Sequence, residues 1–156
     1  MKTIQISEST AKKIYNGDPD ALKSLVVDTY GKEFFSGKIT DRIKTYEDAC
    51  LELGMKPTSE KEFSTSGLAI DEINYRKLKT IIKALNEGWE PDWNDPNQKK
   101  WYPYFGLSGG GFVFCGTYCS YTLAIAGYGS RLCLKSNELA AFIGKQHIEV
   151  YKGFMI

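Results

Sequence analysis

The clearest periodicity in the chain runs from Ile70 to Glu87. Ile70, Ile73, Leu78, Ile81 and Leu85 recur at helical spacing on one face, with Arg76, Lys79 and Lys83 opposite, so the segment predicts an amphipathic helix stopped by Gly88. Shorter helices precede it. Residues 9–16 form one closed by Gly17; Asp18-Pro19 starts another with the stripe Leu22, Leu25, Val26 and Tyr30; Thr45 and Asp48 stand at capping-box spacing for a third that ends at Gly54. The polar stretch 56–67 predicts a mobile loop.

From Trp101 to Ser130 there is no charged residue and no His, while aromatic and β-branched residues alternate with glycines. Such a run belongs in buried strands. Trp101–Leu107 predicts a first strand, with Pro103 marking an edge position; Gly109–Gly111 a flexible turn; Phe112–Ile125 a long strand or a strand pair; and Arg131–Lys135 a last strand. Ser136 caps a closing helix over 136–156 with the stripe Leu139, Phe142, Ile143, Val150 and Phe154. The expectation is a single α+β domain. Residues 1–100 are mainly helical, and a small antiparallel sheet at about 101–135 packs against several α-helices, because the connections between its strands are too short for crossovers.

Composition narrows the function classes. With 20 basic and 19 acidic residues among 156, the formal charge of +1 neither draws in a polyanion or an anionic membrane by bulk charge nor suits a DNA mimic. The first residues lack the apolar core of a secretory signal, and Phe112–Tyr128 is too short and too polar to span a bilayer, so a cytoplasmic protein is expected. In that compartment the four cysteines are expected as thiols, without disulfides.

Candidate chemistry is sparse. Cys115, Cys119, Cys133 and His147 are zinc-ligand types, but in an extended strand Cys115 and Cys119 stand roughly 13 Å apart, too far for one metal. Neither a metal nor any other cofactor is expected, and no catalytic residue is assigned. Cys133 with His147 is the alternative for a small hydrolase or transferase. Gly109-Gly110-Gly111 lacks the Lys-Ser/Thr and helix of a phosphate loop, and Asp92 and Asp95 read as turn caps before they read as an acid–base pair.

Two surfaces remain. Tyr46–Met55 fits the first helix and turn of a helix-turn-helix, but Lys56–Phe63 is too acidic for a recognition helix. Nucleic-acid contact therefore rests on Arg76, Lys79 and Lys83. The favoured surface is aromatic: Trp89, Trp93, Trp101, Tyr102 and Tyr104 around the stiff Pro91–Asn97 loop, with Phe112, Phe114 and Tyr118 sharing one strand face and Val113, Cys115, Cys119 and Tyr121 the other. It predicts a protein partner, with a homo-oligomer as a further possibility.

Three phrases, Thr40–Cys50, Trp101-Tyr102-Pro103-Tyr104-Phe105 and Gly129–Ser136, resemble a family of small proteins encoded by phages and mobile elements of gut Bacteroidales. The resemblance implies a phage-derived accessory or virion-associated protein made inside the host cell, and it brings no site residue with it. The expected function is a protein-binding accessory module, ahead of a nucleic-acid-associated protein and a small enzyme.

Overall fold

The structure is a computed structural model that describes residues 6, 8–17, 25, 27, 28, 37–122 and 131–156. The fold is α+β, as the sequence predicts. The chain divides into two compact units, Met1–Pro57 and Thr58–Ile156. The helix expected after Asp18-Pro19 lies outside the described residues except at Leu25, Val27 and Asp28, which are helical. The end of the strand expected to reach Ile125 also lies outside them.

The first unit holds α1 (Glu8–Gly17), α2 (Ile39–Arg42) and α3 (Tyr46–Glu52). Among its described residues, Ala11, Ile39, Ile43, Ala49 and Cys50 are the buried apolar ones. α3 begins on the expected capping box: the Thr45 hydroxyl accepts from the Asp48 amide and the Asp48 carboxylate accepts from the Thr45 amide. At its other end Gly54 takes φ 62°, the left-handed conformation that lets the chain turn away. Glu52 ties the unit together, accepting from Arg42 at 3.0 Å and from Lys12 at 3.1 Å.

The second unit holds α4 (Glu60–Thr65), α5 (Ile70–Leu85), β1 (Lys100–Ser108), β2 (Gly111–Ser120), α6 (Asn137–Gln146) and α7 (Ile148–Met155). The loop expected over 56–67 is thus partly helix. Its sequence contains a second capping box, Ser59 with Glu62, that the polar composition hid. Phe63 is buried, and Lys77 on α5 reaches back to Glu60 at 2.7 Å and over the Phe63 ring. α5 buries Ile73, Leu78, Ile81 and Leu85 as its period predicts, whereas Ile70 in the first turn is exposed.

β1 and β2 form an antiparallel hairpin closed by Gly109-Gly110, with Ser108 opposite Gly111. The expected last strand, Arg131–Lys135, is reduced to a single bridge in which Trp101 and Leu134 exchange both backbone hydrogen bonds. Those bonds point away from β2. Pro103, two residues on, therefore turns its missing N–H the same way, and the hairpin ladder stays intact. Asn86, buried just past the end of α5, fixes the bridge from both sides of Leu134: its amide donates to the Cys133 carbonyl at 2.9 Å and accepts from the Lys135 amide at 3.0 Å.

The closing helix is two helices. α6 packs on both strands and α7 on α5, and the chain breaks at His147, φ −115° and ψ 32°. Neither Gly nor Pro marks the break; it exists because the two halves serve different neighbours. Ser136 caps α6 as expected, accepting from the Leu139 amide. Gly144 is the closest approach of α6 to the hairpin, since a Cβ there would stand 2.5 Å from the Phe114 ring and 2.8 Å from Pro103.

Candidate functional site

A β-bulge decides which aromatic residues are available. Phe105 pairs with Phe114 but Tyr104 pairs with Gly116, leaving Cys115 as the extra residue. Alternation reverses there. Phe112 and Phe114 join Phe105 on the face toward α6 and α7, with ring centroids 4.7 and 6.1 Å from Phe105, and Tyr151 of α7 lies 4.8 Å from the same ring. Tyr118 pairs with Tyr102 and shares the opposite face with Tyr104. The expected common face for Phe112, Phe114 and Tyr118 is therefore wrong. The expected partner face splits too, with Val113 opposite Gly106 and Cys119 opposite Trp101.

On that opposite face Tyr104 and Tyr118 are 40% and 38% exposed, and Tyr104 lies across Gly116. The other end is covered. Tyr102 is buried with its hydroxyl against the Cys133 thiol, and Lys100, two residues before it, is 0% exposed. The Lys100 ammonium donates to the Gln98 carbonyl at 3.0 Å and lies 5.3 Å from the centre of the Trp93 ring. A buried ammonium needs such partners.

Trp93 is held over Lys100 by a loop with its own hydrogen bonds. Glu87 and Gly88 turn the chain out of α5 with φ of 48° and 83°, and the Trp89 amide donates back to the Asn86 carbonyl. Asp92 and Asp95 accept from the amides of Asn94 and Asn97, and Gln98 spans the loop mouth, accepting from the Asp92 amide and donating to the Glu90 carbonyl. The two aspartates are turn caps, one carboxylate oxygen of each accepting a backbone amide two residues on.

Between this loop and the end of α5 lies a cleft of about 430 Å³. Ile82, Asn86 and Cys133 line it from the protein side, the half-buried Trp89 and Trp93 from the loop side. Lys79 and Lys83 enter from α5, Arg131 from the segment before the bridge, and Glu90 is the one carboxylate in the lining. Among the described residues none of the three cations is in an ion pair, and all three are exposed. Lys79 lies 5.7 Å from the Tyr75 ring centre.

The structure thus divides the sequence-derived candidates. Trp89 and Trp93 from the aromatic set meet Lys79 and Lys83 from the basic set in one cleft. Arg76 is exposed on α5 outside the lining, Trp101 is half-buried beside its bridge, and Tyr102, Phe112 and Phe114 serve packing. α3 and α4, the two helices in the helix-turn-helix reading, fall in different compact units. Arg131, Asn86 and Lys100 were not among the candidates. Arg131 had a signal, as the first charge after the long uncharged run; Lys100 had another, because period two puts it on the face of Tyr102.

Cys133 does not have the character of a nucleophile. Burial pushes its thiol pKa up, and the Tyr102 hydroxyl and the field of Lys100 only partly oppose that. His147 is buried between α6 and α7, edge-on to Phe142 at 6.3 Å. Among the described residues no three His, Cys, Asp or Glu side chains converge closely enough to hold a metal, and no helix is long and apolar enough to cross a membrane. Comparison with protein-family models, curated proteins and solved structures gives no match to this chain.

Proposed function

We propose that this protein is a binding module and that the cleft beside α5 receives an anionic partner. The observation that carries the proposal is the pairing of two indole rings with three exposed cations that have no ion-pair partner among the described residues, all around one concavity. Lys83 sits in the last helical turn, where a cation also offsets the helix dipole. Lys79 lies a turn earlier and Arg131 on another segment, so the dipole does not account for them. Local charge has to supply the attraction, because the net charge of +1 gives no long-range pull. Both an acidic protein segment and a nucleic acid meet this description; they differ in what they offer to Trp89 and Trp93.

Two short polyanions test the proposal, a glutamate-rich peptide and a single-stranded oligonucleotide, each titrated against the intrinsic tryptophan emission. Saturable binding of at least one is expected, weakened several-fold by Lys79→Glu or Lys83→Glu and left nearly unchanged by Arg76→Glu. Binding of neither at low salt, or equal losses in all three variants, overturns the cleft as the site.

A further inference from the structure

We infer that the anionic partner is a single-stranded nucleic acid, with a base against the Trp89 and Trp93 rings and its phosphates on Lys79, Lys83 and Arg131; this rests on the binding-module reading above. Both rings are half-buried, so each is anchored while still lining the cleft. Trp93 is held over the Lys100 ammonium at 5.3 Å, and its loop is closed by two Asx turns and Gln98. A platform fixed in advance loses little entropy when a flat group stacks on it. Glutamate and aspartate side chains satisfy the cations but offer the indoles no flat face. A nucleotide supplies both, a ring for stacking and a charged ester within the same unit.

The geometry further selects a single strand. In a duplex the base faces are occupied by their neighbours, and a cleft of about 430 Å³ has the size of a small-ligand pocket, not of a groove that holds a double helix. Sequence preference should be weak. Asn86 is the one amide side chain in the lining, and both its ends are taken, by the Cys133 carbonyl and the Lys135 amide. It is not available to read a base edge. Glu90, the single carboxylate, disfavours phosphate at the loop end and so places the backbone toward α5 and Arg131.

The test uses the full chain and a mixed-sequence oligodeoxynucleotide of about ten nucleotides, a length within the range bound by single-strand modules. A duplex of the same length, a nucleoside 5′-monophosphate and a glutamate-rich peptide of equal charge are run beside it. The single strand is expected to bind most tightly, with a log–log salt slope of about −2 from three phosphate contacts. Trp89→Ala should weaken it about ten-fold or more, and Lys79→Gln, an exposed substitution that leaves the fold alone, about two- to five-fold. Arg76→Gln should change nothing. Equal affinity for the monophosphate assigns the same base-and-phosphate chemistry to a free nucleotide and overturns the polymer. Preference for the duplex overturns the stacking. Preference for the peptide overturns the nucleic acid while leaving an anion-binding cleft. No binding by any probe removes both proposals.

Discussion

At the scale of single residues, the informative groups are buried polar atoms. Tyr151 is 4% exposed, and its hydroxyl has no hydrogen-bond partner among the described residues. Beside it lies a cavity of about 10 Å³, the room of one water molecule. Removing an unsatisfied buried hydroxyl is favourable, so Tyr151→Phe should raise stability by about 1 kcal/mol in urea unfolding. A loss of stability instead would mean that a bound water pairs the hydroxyl. Glu52 is the opposite case. Burial alone would raise its pKa, but the hydrogen bonds from Arg42 and Lys12 outweigh it and hold the carboxyl below its usual value. A carboxylate depressed in the folded state stabilises above its unfolded pKa of about 4.3, and that contribution disappears as pH falls through the folded value. Glu52→Gln should therefore cost about 1–3 kcal/mol at neutral pH, and its stability should converge on that of the parent in acid. A constant difference from pH 7 down to pH 2 would show that the carboxylate's charge is not what Lys12 and Arg42 contribute to. None of this was legible in the sequence, because Lys12, Arg42 and Glu52 show no spacing that marks them as partners.

At the scale of elements, the sequence was most readable where a local rule suffices. The stripe from Ile73 to Leu85, the Thr45 and Ser136 caps and the stops at Gly54 and Gly88 are all local, and the structure has each of them, whereas Gly17 is still helical at the end of α1. It was misleading where a distant neighbour decides. The bulge at Cys115 turns Tyr118 away from Phe112 and Phe114, and its one local mark is the neighbouring Gly116 at φ 157°, which does not by itself say which faces exchange. The break at His147 likewise answers to α5 and the hairpin instead of to the helix itself. Gly144 is where such a long-range demand becomes testable. In an exposed helix Ala would be favoured over Gly by about 1 kcal/mol, but here its Cβ would meet Phe114 and Pro103. Gly144→Ala should destabilise by about 1–3 kcal/mol, the cost of overpacking, whereas Gly110→Ala at the open hairpin tip should lie within about 0.5 kcal/mol of the parent. If thermal melts rank the two variants the other way, α6 does not pack on the hairpin through this glycine.

At the scale of the whole molecule, the candidate site is a meeting of segments whose sequence signals point to different functions. The aromatic loop alone suggested a protein contact and the basic helix alone suggested phosphates; neither pattern contains the other, and only the turn at Glu87-Gly88 brings the loop back along α5. Arg131 completes the cleft from a position more than thirty residues beyond Trp93 in the chain, which no windowed reading would join to it. Every lining residue nevertheless belongs to the Thr58–Ile156 unit. The elements that hold them are internal to that unit as well: α5 packs on α7, α6 on both strands, and Asn86 joins the end of α5 to the 133–135 segment. A fragment starting at Thr58 should therefore unfold in one cooperative transition and retain the oligonucleotide affinity of the full chain within about three-fold, a margin well under the roughly 1.4 kcal/mol that a ten-fold change represents. The two readouts separate two failures. A cooperative melt without binding would place part of the ligand site in residues 1–57, while a broad melt with exposed apolar surface would show that the unit does not hold its core alone.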